Sequence, residues 1–498
     1  MRVCGVYFVF VILLSACTNG VSHLDIALQQ AKHNKAELEK VLKHFKHDSL
    51  KYRAACFLIE NMPGKYSILP YDSLDRYKNF LKIIPQNDPI SWDVRYSKIW
   101  HGFDSISKRQ LAGFSKIEDI KVITGDYLIK NIEYAFKIWE NGKIKDYCSF
   151  DEFCHYILPY RIDHEPLSDW REEGFQKFGH LLDSLMSPRE LALRIIKLGG
   201  MRYNIGMTKY PYKQSYAEML QTRWGTCDDM AAFLALSLRA IGIPASIDYV
   251  PAWANRSSSH CWNVVKDATG DFIEVGYGPE GKNEVVYKIS KIYRKKCDVT
   301  SEYAMPLSDL TFRVPSQKDK QLISLCTFNN HDWVPVALSK VMNGSVLFES
   351  VGRGILWGDN QIRTYLNEGK GIVFLAFISQ KGRLNNKPIG FPIILLEDGT
   401  IKELCASTEK ESIILYRKYP YYGSNNAIIH DSNEICVDNE YELFYWNMKW
   451  ISLGRKFAVD NKLHYDDVPK GALLWLKNHT QGKEERIFTY EDGKQVWW

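Results

Sequence analysis

Thiol chemistry needs a sulfur that can ionise, a proton carrier beside it, and N–H groups that can hold an oxyanion. The stretch Gly225-Thr226-Cys227-Asp228-Asp229 offers the first and the third. Thr226 is an N-cap residue type, and the apolar run Ala231 to Ala240 behind it reads as a helix closed by Gly242 and Pro244. Cys227 then falls in a first helical turn, where the dipole favours negative charge. Asp228 and Asp229 complement that dipole but oppose a thiolate, so sequence leaves the sign of the Cys227 pKa shift open. His260 follows Arg256-Ser257-Ser258-Ser259 and opens the strand-like run Cys261 to Val265, where its ring can meet a helix end as base and then acid. By strand alternation, Cys261 is expected to face away as a small buried hydrophobe, and Trp262 to share the His260 face and shield the pair from water.

The elements that must position these groups divide the chain into three regions after residue 16. Residues 17–185 read as mainly helical. Apolar positions from Leu24 through Leu38, Val41, Leu42 and Phe45 keep amphipathic spacing, Asp48 is a candidate N-cap for the next helix, and further helices are expected at Ile129 to Trp139 and Phe150 to Leu158. Residues 186–297 open with Ser187-Pro188-Arg189-Glu190, a capping box with proline at the first helical position. They then alternate the thiol helix with strand-like runs at Ala245 to Val250 and Phe272 to Val275. From residue 298 to 498 short β-rich runs recur (Leu322 to Phe328, Ser345 to Phe348, Ile372 to Phe377, Pro392 to Leu396, Ser412 to Tyr416, Glu442 to Trp446), and Asp492-Gly493 marks a hairpin. The expected class is α+β, with a helical N-terminal region and a C-terminal all-β, sandwich-like domain.

Three blocks, Arg223 to Ala231, Arg239 to Ala245 (Arg-Ala-Ile-Gly-Ile-Pro-Ala) and Ser259 to Val265 (Ser-His-Cys-Trp-Asn-Val-Val), resemble in order and separation the transglutaminase-like core of bacterial and archaeal thiol enzymes. The likeness covers Ser187 to Gly281 and implies a papain-like core and acyl transfer on amides through a thioester. It makes Cys227 the nucleophile and His260 the base. It also offers Gln221, upstream as in papain-type peptidases, or the Trp224 indole as an oxyanion partner. The family usually places an Asp at the end of the strand after the histidine, where this chain has Gly276. Glu274 on the same strand face, or Asp271 in the turn, is the available substitute. Without either, the site is a dyad or an inactive scaffold whose C-terminal module binds glycan or peptide. Leu58 to Tyr66 and Glu484 to Trp498 resemble transglutaminase-like lipoproteins of Bacteroidetes.

The N-terminus carries Arg2, an apolar run from Val6 to Leu14, and Leu14-Ser15-Ala16-Cys17, a match to the bacterial lipobox. Residues 1–16 then read as signal peptide and Cys17 as the lipidated first residue, anchored through its acyl chains. Thr18-Asn19-Gly20 lacks the acidic residues of a surface-export tag, so the expectation is an outer-membrane anchor facing the periplasm. Losing Arg2 takes the formal charge from +5 to +4, and no basic stripe argues for nucleic acid. The expected partner is a peptide, protein or glycopeptide, with no cofactor and no metal. Cys148…Cys154-His155 lacks a second ligand pair for structural zinc, and the scatter of the 11 cysteines favours free buried thiols over a disulfide framework. The 14 Trp and 29 Tyr fit well-packed cores or a saccharide- or peptide-binding surface.

Overall fold

The computed structural model describes residues 22–68, 116–141, 143–203, 213–275, 287–314, 320–357, 368–380, 383–418, 421–422, 428–430, 434–480 and 485–498. Residues 1–16, expected as a signal peptide, together with Cys17 and Gly276, lie outside the described residues.

Helices α1 (His23–Ala31), α2 (Lys35–His44) and α3 (Ser49–Glu60) open the chain, followed by a two-stranded ribbon of β1 (Tyr66–Ile68) and β2 (Lys116–Glu118). Helices α4 (Asp119–Val122), α5 (Gly125–Asn141) and α6 (Phe150–Tyr156) complete this region around Leu38, Leu58, Phe136 and Phe153. The amphipathic pattern that runs on from Leu24 to Phe45 is broken in space. Lys32 turns the chain with φ +53, and the buried Asn34 amide donates to the carbonyls of Ile120 and Ile123. A tertiary hydrogen-bond demand thus overrides a continuous helical pattern. Asp48 caps α3 through its carboxylate, as its type predicts.

The second region holds α7 (Trp170–Phe178), α8 (Pro188–Gly199), the strand β3 (Arg202–Tyr203), α9 (Tyr216–Thr222), β4 (Trp224–Gly225) and α10 (Cys227–Ala240). A five-stranded antiparallel sheet follows, built from β5 (Ala245–Val250), β6 (His260–Lys266), β7 (Phe272–Val275), β9 (Tyr293–Arg294) and β10 (Cys297–Asp298). Its order is β10-β9-β5-β6-β7. The short strand β8 (Tyr287–Lys288) pairs instead with Ile355–Trp357. Ser187 and Glu190 form the expected capping box on α8, with Pro188 at its start. Helix α10 is buried along its whole length from Asp229 to Ala240, which explains why it is apolar all round. It packs between α7 and the sheet and is the central beam of this region.

The C-terminal region is rich in antiparallel sheet. One five-stranded sheet has the order Asp332–Lys340, Leu322–Asn329, Gly371–Gln380, Arg383–Leu396, Ile401–Glu403. A second runs Trp450–Phe457, Glu440–Trp446, Leu474–Asn478, Ile487–Glu491, Lys494–Trp497. Asp492 and Gly493 both have positive φ and close the last hairpin, the backbone that a two-residue primed turn demands. The two sheets share a core in which Phe328 meets Trp475 at 5.3 Å and Trp333 meets Trp446 at 5.5 Å. Many of the tryptophans are thus committed to packing, which favours the core reading of the aromatic content.

Buried polar bonds join this region to the second. Arg486, fully buried, donates to the carbonyls of Trp498, Phe328 and Ala254. Lys288 reaches the Gly371 carbonyl at 2.9 Å. Glu368 takes the Lys418 ammonium at 2.8 Å and the Asn255 amide at 3.1 Å. The nine cysteines among the described residues are all free, with Cys297 and Cys405 exposed rather than buried.

Candidate thiol site

Cys227 is the first residue of α10. Thr226 caps the helix, its hydroxyl accepting from the Asp229 N–H, while the Asp229 carboxylate accepts from the Thr226 N–H at 2.9 Å. This reciprocal box fixes the backbone on either side of the sulfur. Gly225 is required by close approach: a Cβ there would lie 2.6 Å from the Asp229 Cβ. Gly225→Ala is therefore expected to push the helix start aside, cost about 1–3 kcal/mol, and slow alkylation of Cys227. Urea unfolding and iodoacetamide kinetics on the one variant read both effects.

Strand β6 supplies the partners. Its odd-numbered residues face α10: the Asn263 side chain donates to the Ala231 carbonyl at 2.8 Å, and Val265 enters the core beneath the helix. Cys261 belongs to that face. Its thiol donates to Asp228 Oδ1 at 3.1 Å, and the two sulfurs and an Asp228 oxygen lie within 4.8 Å of one another. The expectation that Cys261 turns away as an inert hydrophobe is corrected: alternation points it at the thiol helix. His260, at the strand's first residue, hydrogen-bonds the Cys227 sulfur and stacks on Trp253 at 5.7 Å and 25°. Trp253 also meets the Tyr287 ring at 4.6 Å.

The electrostatics follow from these contacts. The Cys261 hydrogen bond is the strongest influence on Cys227; burial opposes ionisation, the His260 bond favours it, and the thiol is pulled down to about 5. Cys261 is pushed up by the same bond, so the proton of the pair resides on Cys261. Asp228 is disfavoured as a carboxylate by burial, yet Lys213, 3.2 Å away, and the Cys261 thiol hold it below its usual value. The Tyr203 phenol is raised by partial burial and by the Cys227 charge.

The proposed orienting acids are corrected too. In the β6–β7 register Glu274 opposes Val264, four residues along the strand from His260, a separation of about 13 Å at strand rise. Sharing a face is not the same as being near. Asp271 lies exposed in the β6–β7 turn, accepting from Thr269 Oγ1 while its N–H bonds Asp267. Trp262 shares the His260 face as expected: its fully buried ring lies 6.1 Å from the imidazole, and its indole donates to the Tyr303 hydroxyl at 2.8 Å, which fixes it in the sheet. Tyr303 in turn donates to Asp248, which also takes Arg294 in a bidentate pair at 2.8 Å. Trp224 is buried in β4, and its carbonyl accepts from the buried Gln214 amide at 2.8 Å; Gln221 stands exposed on the last turn of α9.

Sequence reasoning missed Tyr203, Trp253 and Asn329. The Asn329 amide donates to the carbonyls of Trp253, Arg256 and Ser258 at 2.8–2.9 Å, and its oxygen accepts from the Ser258 N–H at 2.9 Å. One side chain from the C-terminal region thus shapes the loop that ends at His260. No local signal announces it; a period-two reading anchored on Asn263 would have found Cys261.

Residues 180–276 match the Transglutaminase-like superfamily. Among solved structures, a candidate cysteine protease from Cytophaga hutchinsonii aligns at 14% identity, covering 36% of this chain and 46% of its own, with a TM-score of 0.17. A candidate protease from Parabacteroides distasonis aligns at 9% identity, covering 46% and 53%, with a TM-score of 0.21. Red sea bream transglutaminase aligns at 10% identity over 74% of each chain, with a TM-score of 0.13. The chain spans about half the length of the first two. No curated protein matches it.

Proposed function

We propose, from the transglutaminase-like domain that this chain carries at residues 180–276, that the protein is a cysteine enzyme acting on amide bonds of peptides or glycopeptides through a thioester on Cys227. The carrying observation is the placement of the Cys227 sulfur at a capped helix start with His260 and Cys261 bonded to it, contacts that favour its thiolate. The thiolate attacks the amide carbonyl carbon, and the oxyanion that forms meets the free N–H groups of the first turn of α10. Collapse expels the amine, which takes a proton from His260, and leaves a thioester. Water, deprotonated by His260, then releases the acid and restores the thiolate. Cys227 is partly exposed, so a substrate and the water that releases it can both reach the sulfur.

Stacking on Trp253 and contact with the Trp262 ring hold the His260 imidazole from two sides, while Glu274 opposes Val264 four residues along the strand. Trp253 and Tyr287 meet beside His260 and offer an aromatic surface to an extended chain. Lipidation of Cys17 would hold the enzyme on the outer membrane, facing periplasmic peptides. The test is to incubate the reduced protein with an activated peptide ester and read intact mass. A single acyl adduct mapped to Cys227, lost in Cys227→Ala and trapped longer in His260→Ala, is the expected result. The remoteness of both acids favours a second reading, an inactive scaffold with a C-terminal glycan- or peptide-binding module; absence of any adduct at Cys227 would select it.

A further inference from the structure

Acyl transfer needs one sulfur, and this site holds two. Sγ of Cys227, Sγ of Cys261 and a carboxylate oxygen of Asp228 all lie within 4.8 Å of one another. We infer that this trio is a binding site for a single thiophilic divalent cation of the zinc type, with the proposed nucleophile as one of its ligands. Two thiolates and a carboxylate are a borderline-soft donor set that zinc accepts and that magnesium or calcium does not.

The geometry allows closure with little movement. Zinc bonds of about 2.3 Å to sulfur and about 2.0–2.2 Å to oxygen put tetrahedral donors roughly 3.5–3.8 Å apart. Cys261 is buried on β6 and Cys227 is fixed by the Thr226 cap, so the backbones at both sulfurs are held in place. The Asp228 side chain is 58% exposed and can adjust. Its two oxygens are already divided: Oδ1 faces Cys261 at 3.1 Å, while Oδ2 bonds Lys213 at 3.2 Å. A cation entering between the sulfurs and Oδ1 displaces the Cys261 proton to solvent and leaves Lys213 orienting the carboxylate from outside, as supporting groups around metal ligands do. The fourth position falls to water or to the His260 ring, which already bonds Cys227. Bound this way, the Cys227 lone pair is no longer available for attack. The cation would therefore be a reversible brake, a consequence that rests on the acyl-transfer reading, although the binding does not.

The test is a cobalt(II) titration of the reduced full-length chain under argon. The expected result is a one-to-one complex with sulfur-to-cobalt charge-transfer absorption and the intense visible bands of tetrahedral cobalt, displaced by equimolar zinc(II). Cys261→Ala and Asp228→Asn should each weaken it at least tenfold, whereas Cys326→Ala, a buried thiol of the C-terminal sheet, should leave it unchanged. Absence of the charge-transfer band overturns the proposal. So does a band that survives in the Cys227→Ala/Cys261→Ala double variant, which would assign it to exposed Cys297 and Cys405. Iodoacetamide labelling of the metal-free protein separates the two readings. At pH 5.5, labelling of Cys227 no faster than that of the other thiols, together with metal binding, removes the enzyme and keeps the site; fast labelling that zinc does not protect does the reverse.

Discussion

Alkylation of Cys227 by iodoacetamide will rise through a midpoint near pH 5 and stay flat to pH 8, while an ordinary thiol gains tenfold per unit over the same range. The sign follows from the form that reacts. The thiolate is the nucleophile, and Cys227, pulled down to about 5, holds it at all pH values above that midpoint and loses it to protonation below. At pH 5.5 an ordinary thiol with pKa about 8.5 is ionised about one part in a thousand, against about three quarters for Cys227. A less basic thiolate is also a poorer nucleophile, by roughly fortyfold over such a shift. Cys227 should then react roughly twenty times faster than an ordinary thiol at pH 5.5 and be overtaken near pH 7. Cys227→Ala removes the low-pH phase altogether. Cys261→Ala moves the midpoint upward, because the Cys261 hydrogen bond is the largest lowering influence. A Cys227 profile that climbs only above pH 7 would sink the thiolate assignment.

Arg486→Ala should destabilise the protein by about 3–5 kcal/mol, because it takes the donors from three buried carbonyls at once. Its guanidinium is fully buried and satisfies three carbonyls, from Ala254 on the loop before His260, Phe328 in the first C-terminal sheet, and Trp498 at the chain end. Truncation leaves all three buried acceptors without their donor, at about 1–3 kcal/mol each before relaxation. Against a total stability of about 5–15 kcal/mol that is a large fraction. The urea midpoint should fall with little change in slope. Arg486→Lys keeps the charge but not the three-way fork, and should lie between. The Ala254 bond also carries the effect into the site, so alkylation of Cys227 should slow in a variant whose substitution touches neither Cys227 nor His260. An unchanged midpoint would refute the clamp.

What the sequence made legible was local. Thr226, Ser187 with Glu190, and Asp48 announce helix starts through side-chain bonds to their own next turn, and each does so in the structure. Ala245–Val250 and Phe272–Val275 are strands over the residues expected, and Asp492-Gly493 is the expected hairpin. Exposed polar and charged residues dilute the alternation of Trp450–Phe457 and Leu463–Pro469, whereas Asp332–Lys340 runs apolar without alternation from Trp333 to Leu338 and carries Pro335 at mid-strand. At the site, Cys227 and His260 stood out because each sits at the end of an element. The errors were tertiary. Glu274 has the right face and the wrong distance, since register decides position along a strand. Cys261 has the right strand but was given the wrong side, since nothing local says which face meets α10. Trp262 shares the His260 face, as its parity says, and meets that ring at 6.1 Å; what the parity could not show is that Tyr303 takes its indole.

Asn329 binds the loop before His260 with four hydrogen bonds from the other side of the domain junction. The Ser258 amide hydrogen is therefore shielded by a group that its own domain does not own. Its exchange with solvent is set by the opening of the C-terminal sheet, however rigid α10 remains. The histidine loop and that sheet share one clock, so any ligand that quietens the sheet will also lengthen the time the imidazole spends in place.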